Sequence, residues 1–109
     1  MTGKKYDEGK LRFSLMPLLA TESMNRVLEF GAAKYGVDNW REVEDGERRY
    51  FDAAMRHLMA WMRGDPIDDE SGLPHLAHAM CCIAFLLEKE IGKEIRYDEY
   101  EKVVVRDTE

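Results

Sequence analysis

Residues 56–82 read RHLMAWMRGDPIDDESGLPHLAHAMCC and hold every histidine in the chain. His57 lies near the end of one apolar segment, and His75 and His78 lie near the start of the next. Asp65, Asp68, Asp69 and Glu70 sit between them. Asp65-Pro66 punctuates a loop, and Ala79 to Leu87 is an unbroken apolar run. The stretch therefore predicts a helix, an acidic loop and a second helix. With imidazoles on both arms it can gather nitrogen and oxygen ligands around a metal ion.

Helical periodicity extends outward from this window. The helix before it is expected from about Arg48 to Arg63, stopping at Gly64, with a core stripe of Phe51, Ala54, Met55, Leu58, Trp61 and Met62. The helix after it is expected from Ser71–Pro74 to about Ile91, with Ser71 as N-cap and Pro74 tolerated in the first turn. Upstream, Pro17 can open a helix that ends at Gly36, with Ala20, Met24, Val27, Leu28, Gly31 and Tyr35 on one stripe. Residues 1–13 read as an extended basic arm, in which Lys4, Lys5, Lys10 and Arg12 outweigh Asp7 and Glu8. Residues 93–109 read as a charged tail: Glu94–Glu101 suits a short fourth helix, and Val103–Val105 suits a strand or an extended segment. The expectation is one all-α domain spanning residues 1–109, a bundle of three main helices plus a short C-terminal element. The third helix is apolar on all sides, which favours burial in the centre or against a partner chain, and hence an oligomer.

Composition narrows the function. The chain has 109 residues, 45% of them apolar, and a formal net charge of −6. That is enough for one modest core, and the negative charge argues against polymeric nucleic acid as a partner. A basic arm on an acidic body suits a phosphate-bearing small molecule, or is simply a solvated terminus. Cys81 and Cys82 are adjacent on a helix and point about 100° apart, so no bridge between them is expected. No signal peptide is visible, and the longest apolar run is too short to span a bilayer. A cytoplasmic setting is the default expectation.

Three groups carry potential chemistry. His75 and His78 share a helical stripe with Cys82 and with Phe85 or Leu86. They are either helix-start histidines bonded to loop carboxylates, or metal ligands, general bases and phosphate contacts. With Phe51 at the centre of the buried face, Asp52 lies about 100° to one side and His57 about 120° to the other. On that phasing the two do not easily share an ion. The small neighbours Ala53, Ala54 and Ala60 favour His57 on an interface with a second subunit. Asp52 with Arg56 also fits a plain i,i+4 surface ion pair. The loop carboxylates suit a hard cation such as Mg²⁺, or merely complement a helix N-terminus. In the segment Lys34–Arg41, Lys34 and Arg41 suit phosphates, Trp40 suits base stacking and Asn39 suits a base edge. Equally, Trp40 suits a plug at the bundle end and Asn39 a turn cap. No Walker loop, GxGxxG or HExxH is present, and cysteines in an apolar helix disfavour a reactive thiol.

Several blocks resemble the dATP/dGTP diphosphohydrolase N-terminal family common in phage genomes. They are Lys5–Arg12, Phe30–Gly36, Asn39-Trp40, Tyr50–Ala54, Arg56–Leu58 and Asp69–His78. In order and spacing the match covers residues 4 to about 88. The family is similar to MazG-like all-α nucleoside triphosphate pyrophosphohydrolases. That resemblance implies a helical bundle, assembled as a dimer or tetramer, that uses Mg²⁺ or Mn²⁺ to release pyrophosphate from a purine deoxynucleoside triphosphate, in the host cytoplasm if the protein is phage-encoded. The chain departs from the MazG-like pattern, which places ExxE on one helix and ExxD on the next. The only nearby ExxE is Glu44–Glu47, and His75 and His78 stand where the second acidic pair is expected. The expected roles are Asp52, Asp69, Glu70 and His75 as metal ligands, and His75, His78 and Glu70 as catalytic groups. Lys10, Lys34 and Arg56 are expected to hold phosphates, and Asn39 and Trp40 to contact the base. The alternatives are a non-catalytic nucleotide- or metal-binding regulatory module, and a helical oligomeric scaffold.

Overall fold

A computed structural model describes residues 2–94. Among them are three α-helices: α1 (Leu18–Tyr35), α2 (Gly46–Met62) and α3 (His75–Glu94). Two short 3-10 turns, Phe13–Leu15 and Asn39–Glu42, precede α1 and α2. The fold is all-α, as the sequence predicts. The expected fourth helix and the valine-rich segment lie outside the described residues.

The C-terminal ends of α1 and α2 fall where the sequence predicts. Pro17 stands just before α1, and the Gly36 amide donates to the Ala32 carbonyl at the other end, 2.9 Å away. Gly64, with φ of 92°, takes the left-handed turn that stops α2, a conformation that costs a residue with a Cβ about 1–2 kcal/mol. One boundary differs from expectation. Ser71 does not cap α3, which begins four residues later at His75. The intervening chain is instead folded back on itself: the Asp68 amide donates to the Leu73 carbonyl and the His75 amide to the Pro66 carbonyl, at 2.9 and 2.8 Å. These two bonds flank an antiparallel bridge between Ile67 and Pro74.

Packing is organised around α3, which contacts both other helices, α2 most extensively. Helical phase sorts its residues into three arcs. Ala77 and Cys81 form a core cluster with Val27 of α1, joined by Met24, Leu28, Leu73 and Phe85. His75, Ala79 and Cys82 lie about 150° round from these, and all three are buried. Leu76, Met80, Ile83 and Leu87 make the third arc, 37–53% exposed. The expectation of a helix apolar on every side is thus resolved into two buried flanks and one open apolar stripe.

The buried face of α2 is a correction. Phe51 is not its centre but is 55% exposed, whereas Ala54 is 4% exposed. Tyr50, Ala53, His57 and Leu58 flank Ala54 and are partly buried. The physical reason is size: alanines let α3 come close, and the bulky Phe51, Met55, Met59 and Met62 are displaced to the outside. No large side chain is fully buried among the described residues. The core therefore rests on close fitting of small groups, which tolerate added volume poorly. Ala77→Leu is expected to cost about 1–3 kcal/mol. Urea denaturation checks this as a lowered midpoint at an unchanged slope.

Candidate functional site

The revised phase of α2 turns His57 inward. It lies about 60° from Ala54 on the side that faces α3. Its ring stacks on His78, with centroids 4.6 Å apart and planes at 13°, and tilts against His75 at 5.1 Å. The Nδ1 atoms of His57 and His75 are 2.8 Å apart, so one ring donates to the other. His57 therefore meets its own chain's α3 rather than the second subunit that the Phe51-centred phasing favours. Phe30 of α1 approaches His78 edge-on from the other side, at 6.3 Å.

The loop brings carboxylates to this imidazole cluster. Asp68 Oδ2 accepts from the Ser71 amide and from the Ser71 hydroxyl, both at 2.9 Å. Ser71 Oγ lies 2.7 Å from His78 Nε2 and accepts from the Leu73 amide at 3.1 Å. A hydroxyl has one hydrogen, and here it goes to Asp68. His78 must then donate through Nε2–H, which leaves Nδ1 as its basic nitrogen. Gly72, at φ 71°, makes the turn that places Ser71 over Asp68. On the far side of His75, Asp65 Oδ2 is 3.6 Å from Nε2.

Electrostatics follow from this packing. Burial, then the neighbouring histidines, push the His57 pKa below its ordinary value. His78 is also lowered, chiefly by burial, against the opposing pull of Asp68. Burial opposes ionisation of Asp68, but the Ser71 hydrogen bonds and the imidazoles outweigh it and hold its carboxyl below the usual range. Burial also pushes the Cys81 and Cys82 thiols up to about 12 and about 11, so neither is a nucleophile at neutral pH.

A cleft of about 620 Å³ opens beside the cluster, between α1, the Asn39–Glu42 turn, α2 and α3. Six of the residues singled out in the sequence line it: Lys34, Asn39, Trp40, Arg56, Glu70 and His78. Lys34 bridges α1 to the loop by an ion pair with Glu70, which raises the lysine's pKa. Arg56 has no hydrogen bond or ion pair among the described residues. Trp40 stacks on Phe85 at 4.5 Å, with Arg41 4.2 Å over its ring, the arrangement of a bundle plug.

The remaining predicted residues lie elsewhere. Asp52 lines a neighbouring groove and pairs with Arg48 at 3.2 Å, not with Arg56. Asp69 is exposed and does not line the cleft, and Lys10 sits on the exposed arm. His75 is buried behind His57, 8% exposed. The Glu44–Glu47 pair straddles the start of α2. Sequence reasoning passed over three contributors. Counting Phe51 as core turns His57 away from α3, composition does not separate Asp68 from its acidic neighbours, and an N-cap role assigns Ser71 to the helix rather than to Asp68. An Asp-x-x-Ser turn followed by Gly72 is the signal that marks Asp68.

Three side chains of the cluster are spaced so that they could hold a metal ion. One ligand atom from each of His57, Asp68 and His75 lies within 4.8 Å of the other two. Two nitrogens bound at about 2.1 Å and at right angles would be about 3.0 Å apart, close to the His57–His75 separation.

Residues 1–99 match the family described as dATP/dGTP diphosphohydrolase, N-terminal. The chain belongs to that family. A dATP/dGTP diphosphohydrolase of Salmonella phage PMBT28 is 41% identical to this family member over 86 residues, 79% of this chain. That stretch is 29% of the phage protein, so the chain spans under a third of its relative's length. No solved structure matches this member of the family. No helix among the described residues is long and apolar enough to cross a membrane.

The lowered histidine pKa values make a stability prediction. The folded chain binds fewer protons than the unfolded chain just below pH 6.5, so stability falls as pH drops through that window. Urea midpoints at about pH 7.5 and about pH 5.5 should show this loss, and it should shrink in His57→Gln.

Proposed function

We propose that the chain hydrolyses purine deoxynucleoside triphosphates to a monophosphate and pyrophosphate, using the cleft beside the three histidines. One observation carries the reading. A single cleft joins the unpaired Arg56 and the Lys34 ammonium to Glu70, Asp68 and His78, in a chain of the diphosphohydrolase family.

Lys34 and Arg56 hold the phosphates by charge-assisted hydrogen bonds. Phosphate binding at Lys34 displaces Glu70, which is then free to orient water. His78 is neutral at pH 7, and its Nδ1 takes the proton from the attacking water. The water oxygen bonds to the α-phosphorus as the bond to the diphosphate oxygen breaks, and the electron pair leaves with pyrophosphate. Asn39 at the cleft rim contacts the base, while Trp40 is held by Phe85 and shapes the wall. A divalent ion, Mg²⁺ or Mn²⁺, held by His57, His75 and Asp68, would neutralise phosphate charge and polarise the reacting phosphorus centre. The open stripes on α2 and α3 support association with a second copy, expected as a dimer or tetramer in light scattering.

Purified chain with Mg²⁺ or Mn²⁺ should release pyrophosphate from dGTP or dATP. Arg56→Ala and Lys34→Ala should lower kcat/KM by about tenfold or more each, the loss of one phosphate contact. His78→Gln should lower kcat by about 10²-fold or more, the share of a general base. No release from any common nucleotide with either ion would overturn the reading. Nucleotide binding without turnover would select a regulatory module, a reading favoured by the missing ExxE and ExxD pairs.

A further inference from the structure

We infer that His57, His75 and Asp68 form a resident transition-metal centre that discriminates against Mg²⁺, with Asp65 as its positioning residue. The inference concerns the ion held at the proposed site and stands or falls by binding, whatever the turnover.

Three imidazoles packed face to face and edge to edge are a poor way to fill a helix interface. Each ring brings two polar nitrogens that apolar side chains would not, and each must find a partner. His78 spends one nitrogen on Ser71. His57 and His75 have turned the same atom, Nδ1, toward each other at 2.8 Å, and can satisfy it without a metal only if one is protonated there and the other is not. A cation set to one side of the line between them, at about 2.1 Å from each, would satisfy both as neutral lone pairs. Asp68 has a carboxylate oxygen within 4.8 Å of ligand nitrogens of both, and its place is fixed by two bonds from Ser71 and by the bridge that closes the loop.

The chemistry of the donors selects the ion. Mg²⁺ takes oxygen ligands and keeps several waters, so a site that is two-thirds imidazole suits it badly. Two imidazoles and one carboxylate suit Mn²⁺, Fe²⁺, Co²⁺, Ni²⁺ or Zn²⁺. Three protein donors are fewer than these ions accept, so water or a phosphate oxygen would complete the shell.

Asp65 adds the outer contact that such a centre needs. Its carboxylate lies on the Nε2 side of His75, opposite the Nδ1 that faces His57. At 3.6 Å it is one small shift from accepting a hydrogen bond from Nε2–H, which would orient the ring with Nδ1 toward the ion.

The test uses the full chain stripped with a chelator and titrated with Co²⁺, followed by visible absorption, and with Mn²⁺ or Zn²⁺, followed calorimetrically. About one ion per chain should bind, and a hundredfold excess of Mg²⁺ should not displace it. His57→Gln and Asp68→Asn, both at partly exposed positions, should abolish binding while retaining the helical circular dichroism signal. Asp65→Asn should weaken affinity about 10–100-fold without changing the stoichiometry. Glu22→Gln, a carboxylate on the outer face of α1, should change nothing. No binding of any of these ions, unchanged affinity in both ligand variants, or displacement by equimolar Mg²⁺ would overturn the centre. Unchanged affinity in Asp65→Asn alone would overturn its positioning role. Stoichiometric binding without pyrophosphate release would leave the centre standing and count against hydrolysis.

Discussion

The close approach of α2 and α3 is the constraint on which the rest depends. Small residues make it possible: Ala54 on one helix, and Ala79 and Cys82 on the other, are each less than 10% exposed. Larger side chains at these positions would hold the axes apart by the width of a methyl group or more. At that separation His57 could not reach His75 and His78. The same approach squeezes Phe51 and the methionines of α2 outward, and leaves the open stripe of α3 uncovered by any other helix among the described residues.

The acidic loop is the second fixed part. It is short, closed by two backbone bonds and turned at Gly72. Its carboxylates are consequently not equivalent. Asp68 is tied to Ser71 and half buried, Asp65 stands behind His75, Glu70 reaches across to Lys34, and Asp69 faces solvent. Chemistry that depends on carboxylate placement within an ångström can use the first of these and not the last.

This difference explains what the sequence made legible. Helix number and order, and most helix ends, follow from apolar spacing and from Pro17, Gly36 and Gly64, which act locally. The pairing of His75 with His78 follows from a three-residue step on one helix. The inward turn of His57 does not. It depends on which of two apolar arcs of α2 is buried, and Phe51 and Met55 outweigh Ala53 and Ala54 in any reading by bulk. The choice among four neighbouring carboxylates depends on a loop conformation set by hydrogen bonds rather than by periodicity. That Lys34, Asn39 and Arg56 line one cleft follows from charge and amide groups at a helix end and on a helix flank, which are legible one residue at a time.

The two thiols give the fold a clock. Cys81 Sγ donates to the Met24 carbonyl of α1 at 3.3 Å, and its neighbour packs toward α2. Both are too buried and too weakly acidic to react while the helices are closed. Each therefore becomes visible to an alkylating reagent as its side of α3 opens. The labelling rates of the two would compare the opening of those two sides, with no probe added to the chain.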